Sequence, residues 1–551
     1  MRSSRAAIGL IVAAHLAAAV ALTPGFLEPD SVATFAWIRS LVLDGDFLFY
    51  DEWAGFGMIV DGIPLYKEVT RTGALANHWW VGTSIVTAPF YLAAHLAASL
   101  GGSPNGFTGL YALTLAWTSV LFGAAACAIA FSLMHGRSIP PAAALGAIAL
   151  VWLGTPMFWY EMRFPLGTHL AGIACIGALT LVLARVEREP DRALDLLAGL
   201  LLGLAIVTRL QHLMLAPAVA LHLWRSGRGS KGLSAAAIGA ALPLAVQGAA
   251  WHAVYGQPLG PLLAGSSPMG GTWMAFRTIA LDEVLLSSWH GLLPWSPVAA
   301  LAIAGWVLEL RRSRLAAAML LMFAGEWIAN GLFDRYFWGG LSFGPRRFVD
   351  LAVPLMLGLG WLLRRSGVAG WIAAAAATAW TVLLTFAAAG GSLPLDRDVL
   401  PRELFAAVGS IDWSGLARAL FGASALVRAP TTTLGALAIV VAVAAALAPL
   451  ARRARRGAIA LVVLCTLSLA AALAAIAPTR ARAEEQIRRF RIDRPAAAAA
   501  GPLIDARGLL AHELEFLRRR GRERQAAETE RTIREIDRRL DELGVGLAAR
   551  R

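Results

Sequence analysis

Apolar blocks of about twenty residues recur along this 551-residue chain and constrain its fold more than any other feature. A helix of that length crosses the roughly 30 Å hydrocarbon core of a bilayer. The blocks are rich in Ala, Leu and Val, and they lack the polar–apolar alternation of a membrane-spanning β-strand. Charged residues make up only 15% of the chain, whereas about 25% is typical of soluble domains. The sequence therefore predicts an all-α, polytopic transmembrane helical bundle.

Basic residues lie mainly in short connections between these blocks. This placement is a topology signal, because short loops rich in Arg and Lys stay in the cytoplasm. The net charge of +13 therefore does not indicate a nucleic-acid partner. The runs comprise Arg137; Arg185, Arg188 and Arg192; Arg225, Arg228 and Lys231; Arg311, Arg312 and Arg314; Arg364 and Arg365; Arg452, Arg453, Arg455 and Arg456. All of them fall on one side if the chain crosses the membrane thirteen times.

The first predicted span covers residues 6–22, and we expect it to remain uncleaved. A short apolar block after Arg2 and Arg5 is also typical of a cleaved signal peptide. The later predicted spans lie near 109–134, 141–159, 168–185, 194–208, 211–225, 232–254, 295–310, 315–333, 348–364, 368–390, 431–451 and 457–478. Residues 1–480 then form the membrane domain, and 481–551 form a helical tail on the extracytoplasmic side.

Two segments do not fit a simple count of spans. Residues 81–100 are apolar, but a further span there would put the later basic loops on the wrong side, so we expect a helix at or dipping into the interface. Residues 194–225 carry Arg209, Gln211 and His212 at their centre. Polar groups in hydrocarbon are costly, so this segment is predicted to turn there as two half-length helices. The alternative is a misplaced boundary with Arg209 reaching the interface along its apolar stem.

Polar residues gather in the connections at the other mouth of the predicted bundle. The first outside loop, 25–80, holds Glu28, Asp30, Asp51, Glu52, Asn77 and His78, and later ones hold His169, His290, Arg346 and Arg347. A transporter would place such residues near the midplane. Their concentration at one mouth favours an enzyme whose apolar substrate arrives through the bilayer.

Two pairs among these residues suggest chemistry. Glu28 and Asp30 directly follow the first span, and a carboxylate there can act as a general base or hold a divalent metal that bridges a phosphate. Arg346 and Arg347 directly precede another span, where guanidinium groups suit the phosphate of a lipid.

Several short motifs occur in a fixed order across residues 1–480. They are Glu28-Pro-Asp30-Ser, Asn77-His-Trp-Trp-Val-Gly82, Gly203-Leu-Ala-Ile-Val-Thr-Arg209, Trp289-His-Gly-Leu-Leu-Pro-Trp295 and Trp338-Gly-Gly-Leu-Ser-Phe-Gly-Pro-Arg346. In this order the sequence resembles the GT-C superfamily of membrane glycosyltransferases, near the protein mannosyltransferase and aminoarabinose transferase branch.

The resemblance implies an enzyme of the bacterial inner membrane that transfers a sugar, with inversion, from a polyprenyl-phosphate donor to an extracytoplasmic lipid, glycan or protein. Its catalytic carboxylate matches Asp30 best, with Glu28 as the alternative, since the acidic pair here is Glu-Pro-Asp and not a contiguous Asp-Glu. Asn77 and His78 occupy the place of the lipid-phosphate or metal site, without the charged residues of the family. Dependence on a metal therefore stays open.

We expect Arg209 to converge with Arg346 or Arg347 on the donor phosphate, with His78 nearby. A second possible phosphate site lies around His169 and His290. Asp51, Glu52 and Asn77 are candidates for the acceptor side of the first loop.

Two other functions remain open. A transporter or flippase of lipid-linked sugars would need polar residues that continue through the spans, and few do: Arg209, Gln211, His212, Gln247, Glu326 and Asn330. A non-catalytic membrane scaffold would tolerate the loss of Glu28 and Asp30. The tail carries two apolar stripes, Leu510, Leu514 and Leu517, then Ile533, Ile536, Leu540 and Leu543, which predict two amphipathic helices packed on each other or on a helical partner. A solvated tail without function is the alternative.

Overall fold

A computed structural model describes residues 2–24, 29–60, 63–64, 69–165, 168–189, 191–260, 279–332, 339–340, 342–422, 424–453, 480–492 and 494–543. This part of the chain is helical apart from one short antiparallel ladder, in which β1 (Ile59–Val60) pairs with β2 (Ile63–Pro64). The prediction of an all-α membrane protein is confirmed.

The helices follow one another along the whole chain. Those of the first half are α1 (Arg2–Leu22), α2 (Pro29–Arg39), α3 (Tyr50–Gly55), α4 (Gly82–Leu100), α5 (Gly109–His135), α6 (Pro141–Gly154), α7 (Met157–Met162), α8 (Thr168–Val186), α9 (Arg192–Thr208), α10 (Ala216–Arg225) and α11 (Gly229–Tyr255). Those of the second half are α12 (Leu281–Leu286), α13 (Leu292–Trp295), α14 (Val298–Glu309), α15 (Arg314–Leu332), α16 (Ala352–Leu363), α17 (Gly367–Ala389), α18 (Pro401–Gly409), α19 (Trp413–Phe421), α20 (Ala425–Arg428), α21 (Pro430–Arg453), α22 (Arg480–Arg489), α23 (Arg494–Arg519) and α24 (Glu523–Glu542).

Seven described helices are long and apolar enough to cross a bilayer: α4, α5, α8, α11, α15, α17 and residues 430–448 of α21. An eighth candidate arises if α18 and α19, which meet at a bend of 94°, are counted as one span. The protein is therefore a multi-pass helical membrane protein, but the predicted thirteen spans are not shown. Several predicted blocks divide into shorter helices, such as 141–159, which breaks at Thr155-Pro156 into α6 and α7. The predicted span 457–478 lies outside the described residues.

The predicted turn at Arg209 is confirmed. Helix α9 ends at Thr208, Arg209 is extended with φ −157° and ψ 123°, and a 3₁₀ turn over Leu210–Leu215 leads into α10. An extended residue followed by 3₁₀ geometry breaks the helical hydrogen-bond ladder, so the chain reverses here and does not continue as one long span.

The basic connections meet at one end of the bundle. Arg137, after α5, forms an ion pair of 3.2 Å with Glu187, after α8. Arg364, after α16, donates to the carbonyl oxygen of Arg137 at 3.3 Å and forms an ion pair of 2.7 Å with Glu309 at the end of α14. We call this side of the molecule the basic end.

The connections around α9, α10 and α11 lie at the same end. His222, near the end of α10, lies 2.9 Å from the carbonyl oxygen of Leu183 near the end of α8. Arg228, just before α11, forms a 2.6 Å ion pair with Asp195 at the start of α9. The described basic connections thus fall on one side, as predicted, while the assignment of that side to the cytoplasm stays a prediction.

Helices α9 and α11 run parallel in very close contact. A Cβ atom added to Gly199 would lie 1.8 Å from the carbonyl oxygen of Ala236, and one added to Gly203 would lie 2.6 Å from that of Ala240. Only glycine permits such an approach of two backbones. The pair therefore carries Arg209 away from the basic end, toward the opposite side, which we call the mouth end.

Helix α4 begins beside the end of α9 and not at the mouth surface. Arg71 donates to the carbonyl oxygen of Tyr255 at 2.7 Å, whereas the Val81 amide donates to Gln247 at 2.9 Å, two turns deeper on α11. His95 of α4 then lies 2.8 Å from the hydroxyl of Tyr111 at the start of α5. Because α4 is also one of the helices long enough to cross a bilayer, the predicted interfacial or dipping helix stays a prediction.

The tail packs on the mouth end. Arg482 and Arg489 of α22 form ion pairs of 3.5 and 3.3 Å with Asp46 and Asp51 of the first loop. Helices α23 and α24 form a hairpin whose own core includes Ile536. The two tail helices therefore pack on each other, as one of the two predicted arrangements has it, while a further helical partner stays a prediction.

Candidate active site at the mouth end

Three distant segments converge on one carboxylate, Asp350, in the 3₁₀ turn Arg346–Leu351 that precedes α16. The Nε atom of Arg209 lies 3.6 Å from Asp350 Oδ2. Nδ1 of His169, in the first turn of α8, lies 3.1 Å from Oδ1. The Asp350 side chain is completely buried, so these neighbours replace its hydration.

A second layer of contacts holds this centre. His212 lies 2.9 Å from Asp350 Oδ2 through Nε2 and 2.7 Å from Glu326 Oε1 through Nδ1. Gln211 donates through Nε2 to Glu326 Oε2 at 2.6 Å and to the carbonyl oxygen of Arg347 at 2.8 Å. The polar residues of the 194–225 turn thus meet acids from α15 and the 3₁₀ turn before α16, which compensates their burial.

Arg346 and Asp30 lie at the outer edge of this network. Arg346 Nη1 is 3.4 Å from Asp30 Oδ2, and the Asp30 side chain is 49% exposed. Arg346 lies against Gly339, which has a left-handed φ of 82°. A Cβ atom on Gly339 would lie 3.3 Å from the Arg346 side chain, so glycine leaves this guanidinium its space. Arg346 belongs to the same 3₁₀ turn as Asp350, which Arg209 contacts.

Tyr160 joins the network from α7. Its hydroxyl accepts a hydrogen bond from the backbone amide of Phe343 at 3.0 Å, and its ring centroid lies 4.7 Å from that of His169. The sequence analysis did not identify Tyr160 or Asp350. An acid inside a predicted apolar block is the signal that points to Asp350, because buried carboxylates in membrane segments usually have a functional partner.

His290, which precedes α13, has a left-handed conformation with φ 61°. Its Nδ1 atom is 3.1 Å from the hydroxyl of Ser342, in the segment that carries Arg346. Arg209 and His169 thus share Asp350, and His290 contacts the segment that leads into the turn of Asp350, while phosphate binding by these residues stays a prediction.

Other predicted site residues have structural contacts in the first loop. Glu52 is fully buried 2.7 Å from Arg39 Nη1, and burial raises the pKa of Glu52 to about 8 against the opposing effect of Arg39. Asn77 donates to the Ala33 carbonyl oxygen at 2.8 Å. His78 is buried beside the ring of Tyr255. These contacts hold the loop in place, and a role in acceptor or phosphate binding stays a prediction.

Two further predictions concern Asp51 and Glu28. Asp51 contacts Arg489 of the tail, so it lies at the junction of tail and loop. Glu28 lies outside the described residues. Within the described part, no group of three or more His, Cys, Asp or Glu residues has the arrangement of a metal site.

Comparisons with known proteins identify no family. No protein-family model matches the chain, and neither a curated protein nor a solved structure does. The structure shows a polytopic helical membrane protein whose buried polar residues converge at one end.

Proposed function

We propose that this protein is a glycosyltransferase that transfers a sugar from a polyprenyl-phosphate donor to an extracytoplasmic acceptor, with inversion at the anomeric carbon. One observation carries the proposal: Arg209 contacts Asp350 in the same 3₁₀ turn that carries Arg346, and Arg346 contacts the half-exposed Asp30. Cations recessed within the bundle and a half-exposed carboxylate toward water suit a lipid phosphate from the membrane and an acceptor from the aqueous side.

The roles follow from the chemistry of the transfer. Asp30 takes the proton of an acceptor hydroxyl, whose oxygen attacks C1 of the sugar as the bond from C1 to the phosphate oxygen breaks. The electron pair of that bond leaves with the phosphate, and Arg346 and Arg209 stabilise the charge that develops there. Because Arg346 contacts one oxygen of Asp30, it also orients this carboxylate.

The buried acids support the same proposal. Asp350 and Glu326 hold Arg209 and His212 in fixed positions without any ligand. A preorganised cation needs no rearrangement at the moment of reaction, which is the main source of electrostatic catalysis.

A deletion strain tests the proposal directly. Mass spectrometry of its cell-envelope glycans and glycolipids should show a product that lacks one sugar, and the wild-type gene should restore it. Asp30→Asn should fail to restore it, since removal of a general base costs about 10²–10⁴-fold in rate. Arg364→Lys, at the basic end, is the control that should restore it. A full product with Asp30→Asn would move the role to Glu28, and a full product with both acids replaced would refute the proposal.

A flippase of lipid-linked sugars is the second candidate, favoured by one observation. Glu161 of α7 is completely buried, accepts a hydrogen bond from Trp152 Nε1 at 2.7 Å and lies 3.6 Å from His15 of α1. An ionisable pair inside a membrane bundle is also typical of transporters. A flippase predicts accumulation of the lipid-linked sugar on the cytoplasmic side of the deletion strain and no loss with Asp30→Asn.

A further inference from the structure

The tail hairpin contacts the wall of the candidate site. The ring of Phe516, in α23, stacks on Trp289 with centroids 5.7 Å apart and an interplanar angle of 27°. Trp289 is 1% exposed and belongs to a small cluster otherwise formed by tail residues, Leu514, Phe516, Leu517 and Ala526. Trp289, a residue of the membrane domain, therefore packs among side chains of the tail.

Arg520 adds polar contacts to the same segment. Its Nη2 atom donates to the Ser288 hydroxyl at 3.0 Å and lies 3.4 Å from Asp398, whose side chain is fully buried. The neighbouring Arg519 forms an ion pair of 2.7 Å with Glu403. The C-terminal end of α23 and the following Arg520 therefore contact both the 287–290 segment and the chain around the start of α18.

The backbone that follows these contacts is strained. His290 has φ 61°, a conformation that is unfavourable for a residue with a side chain and persists only where the surroundings impose it. The restraints on its N-terminal side include the Ser287 hydroxyl, which accepts from the Trp289 amide at 3.0 Å, and the tail contacts of Ser288 and Trp289. Trp295 of the membrane domain adds a hydrogen bond of 2.8 Å to the Ser288 carbonyl oxygen, and its ring lies 4.9 Å from that of His290. The side chain held in this way lies against Ser342, next to the turn that carries Arg346.

We propose that Phe516 and Arg520 of the tail are positioning residues of the candidate site, which act through Trp289 and Ser288 to hold His290 against Ser342. The role of the site in binding a lipid phosphate rests on the proposed function, whereas the positioning of His290 does not. The tail therefore supports the segment that carries His290 and is not an appendage.

Histidine modification by diethyl pyrocarbonate, read residue by residue by mass spectrometry, tests the positioning in the full-length chain in lipid nanodiscs. His290 is 3% exposed and should react slowly in the wild type. Phe516→Ala should make it react about tenfold faster, a change that corresponds to about 1.4 kcal/mol in the opening equilibrium. Phe516→Tyr, which keeps the stacked ring, should restore slow labelling, and Arg520→Gln should give a smaller increase.

Phe490→Ala is the matched control, because Phe490 is the tail aromatic that stacks on Tyr50 of the first loop. It should leave His290 protected, and the buried His169 should stay protected in every variant, which excludes general unfolding. Unchanged labelling of His290 in both Phe516→Ala and Arg520→Gln would overturn the proposal, and so would equal labelling in Phe490→Ala.

Binding of a polyprenyl monophosphate to the same samples, measured by native mass spectrometry, tests the lipid-phosphate function separately from the positioning of His290. Weaker binding by Phe516→Ala, restored by Phe516→Tyr, supports the proposal together with the function. No binding by the wild type refutes the lipid-phosphate function but leaves the labelling result to decide the positioning. If Phe516→Ala exposes His290 but binds the lipid phosphate with wild-type affinity, the proposal that the tail positions a residue of the site is overturned.

Discussion

The two ends of the bundle use the same residue types in different arrangements. At the basic end, an arginine bridges two helices by contact with a carboxylate, as in Arg137 with Glu187 and Arg228 with Asp195. At the mouth end, one carboxylate, Asp350, is surrounded by a guanidinium and two imidazoles. The first arrangement links the ends of neighbouring helices. The second holds a guanidinium and two imidazoles around one carboxylate.

This difference separates structural charge from functional charge. At the basic end, each of these arginines is matched by a carboxylate of its own, so its charge is neutralised locally. Around Asp350, three donors share one acceptor, and Arg346 and Asp30 continue the network toward water. An arrangement of this kind fits a pocket that receives an anion.

A topology reporter gives the largest expected effect, because its signal is all or none. The tail lies at the mouth end and Arg228 at the basic end, so fusions at the two positions should report opposite sides of the membrane. A periplasm-dependent reporter should be active after residue 551 and inactive near Arg228. The same signal at both positions would contradict the separation of the two ends, and reversed signals would move the candidate site to the cytoplasm.

Asp350→Asn should produce the largest loss of stability. It removes the fully buried carboxylate that Arg209 and the buried His212 share, and loss of one partner of a buried charged cluster typically costs about 3–5 kcal/mol. Glu187→Gln, which breaks a partly exposed pair at the basic end, should cost about 1 kcal/mol or less. Thermal unfolding followed by tryptophan fluorescence compares the two variants, and equal effects would mean that the ends do not differ.

Arg346→Lys should weaken polyprenyl-phosphate binding by about tenfold, whereas Arg364→Lys should not change it. Lysine keeps the charge but loses the planar fork that contacts a phosphate through two donors. Titration of both variants in nanodiscs with a polyprenyl monophosphate measures the difference. Equal affinities would show that cations at the mouth have no special part in phosphate recognition.

Glu52 gives the smallest expected effect, a pH dependence within the first loop. Because its pKa rises from 4.5 to about 8 on folding, the folded state holds a proton that the unfolded state releases. Stability should therefore fall as pH rises from about 4.5 to about 8 and then level off. A carboxylic-acid infrared band should persist at neutral pH, disappear above about pH 8 and be absent in Glu52→Gln. Persistence of the band in Glu52→Gln would assign it to another residue.

The local sequence predicted the features that follow from the free-energy cost of placing a polar or charged residue in hydrocarbon. Three polar residues inside an apolar stretch imply a turn, and the turn at Arg209 follows from them. The segregation of arginines into short loops likewise predicted which connections meet, as Arg137 and Arg364 do. The span count was less predictable, because breaks such as Thr155-Pro156 divide an apolar block without changing its hydropathy.

The centre of the site was not predictable by the same means. Asp350 meets His169 from 181 positions away in the sequence, and no local pattern encodes that pairing. The docking of the tail also depends on tertiary contacts, since the stripe that contains Leu514 predicts only that a helix packs on something. The burial of Glu52 against Arg39 was likewise not predictable, because nothing in the local sequence of the first loop distinguishes a buried acid from an exposed one.

The close packing of α9 on α11 sets how salt acts on this protein. In their shared register Thr208 lies level with Ala245, and α11 continues ten residues further to Tyr255, about 15 Å at 1.5 Å per residue. That depth exceeds the Debye length of about 8 Å at physiological ionic strength. Dissolved ions therefore screen the charges around Arg209 weakly, whereas they screen the more exposed pair of Arg489 and Asp51 more strongly. Changes in external salt will loosen the contact of α22 with the first loop long before they alter the interior of the pocket.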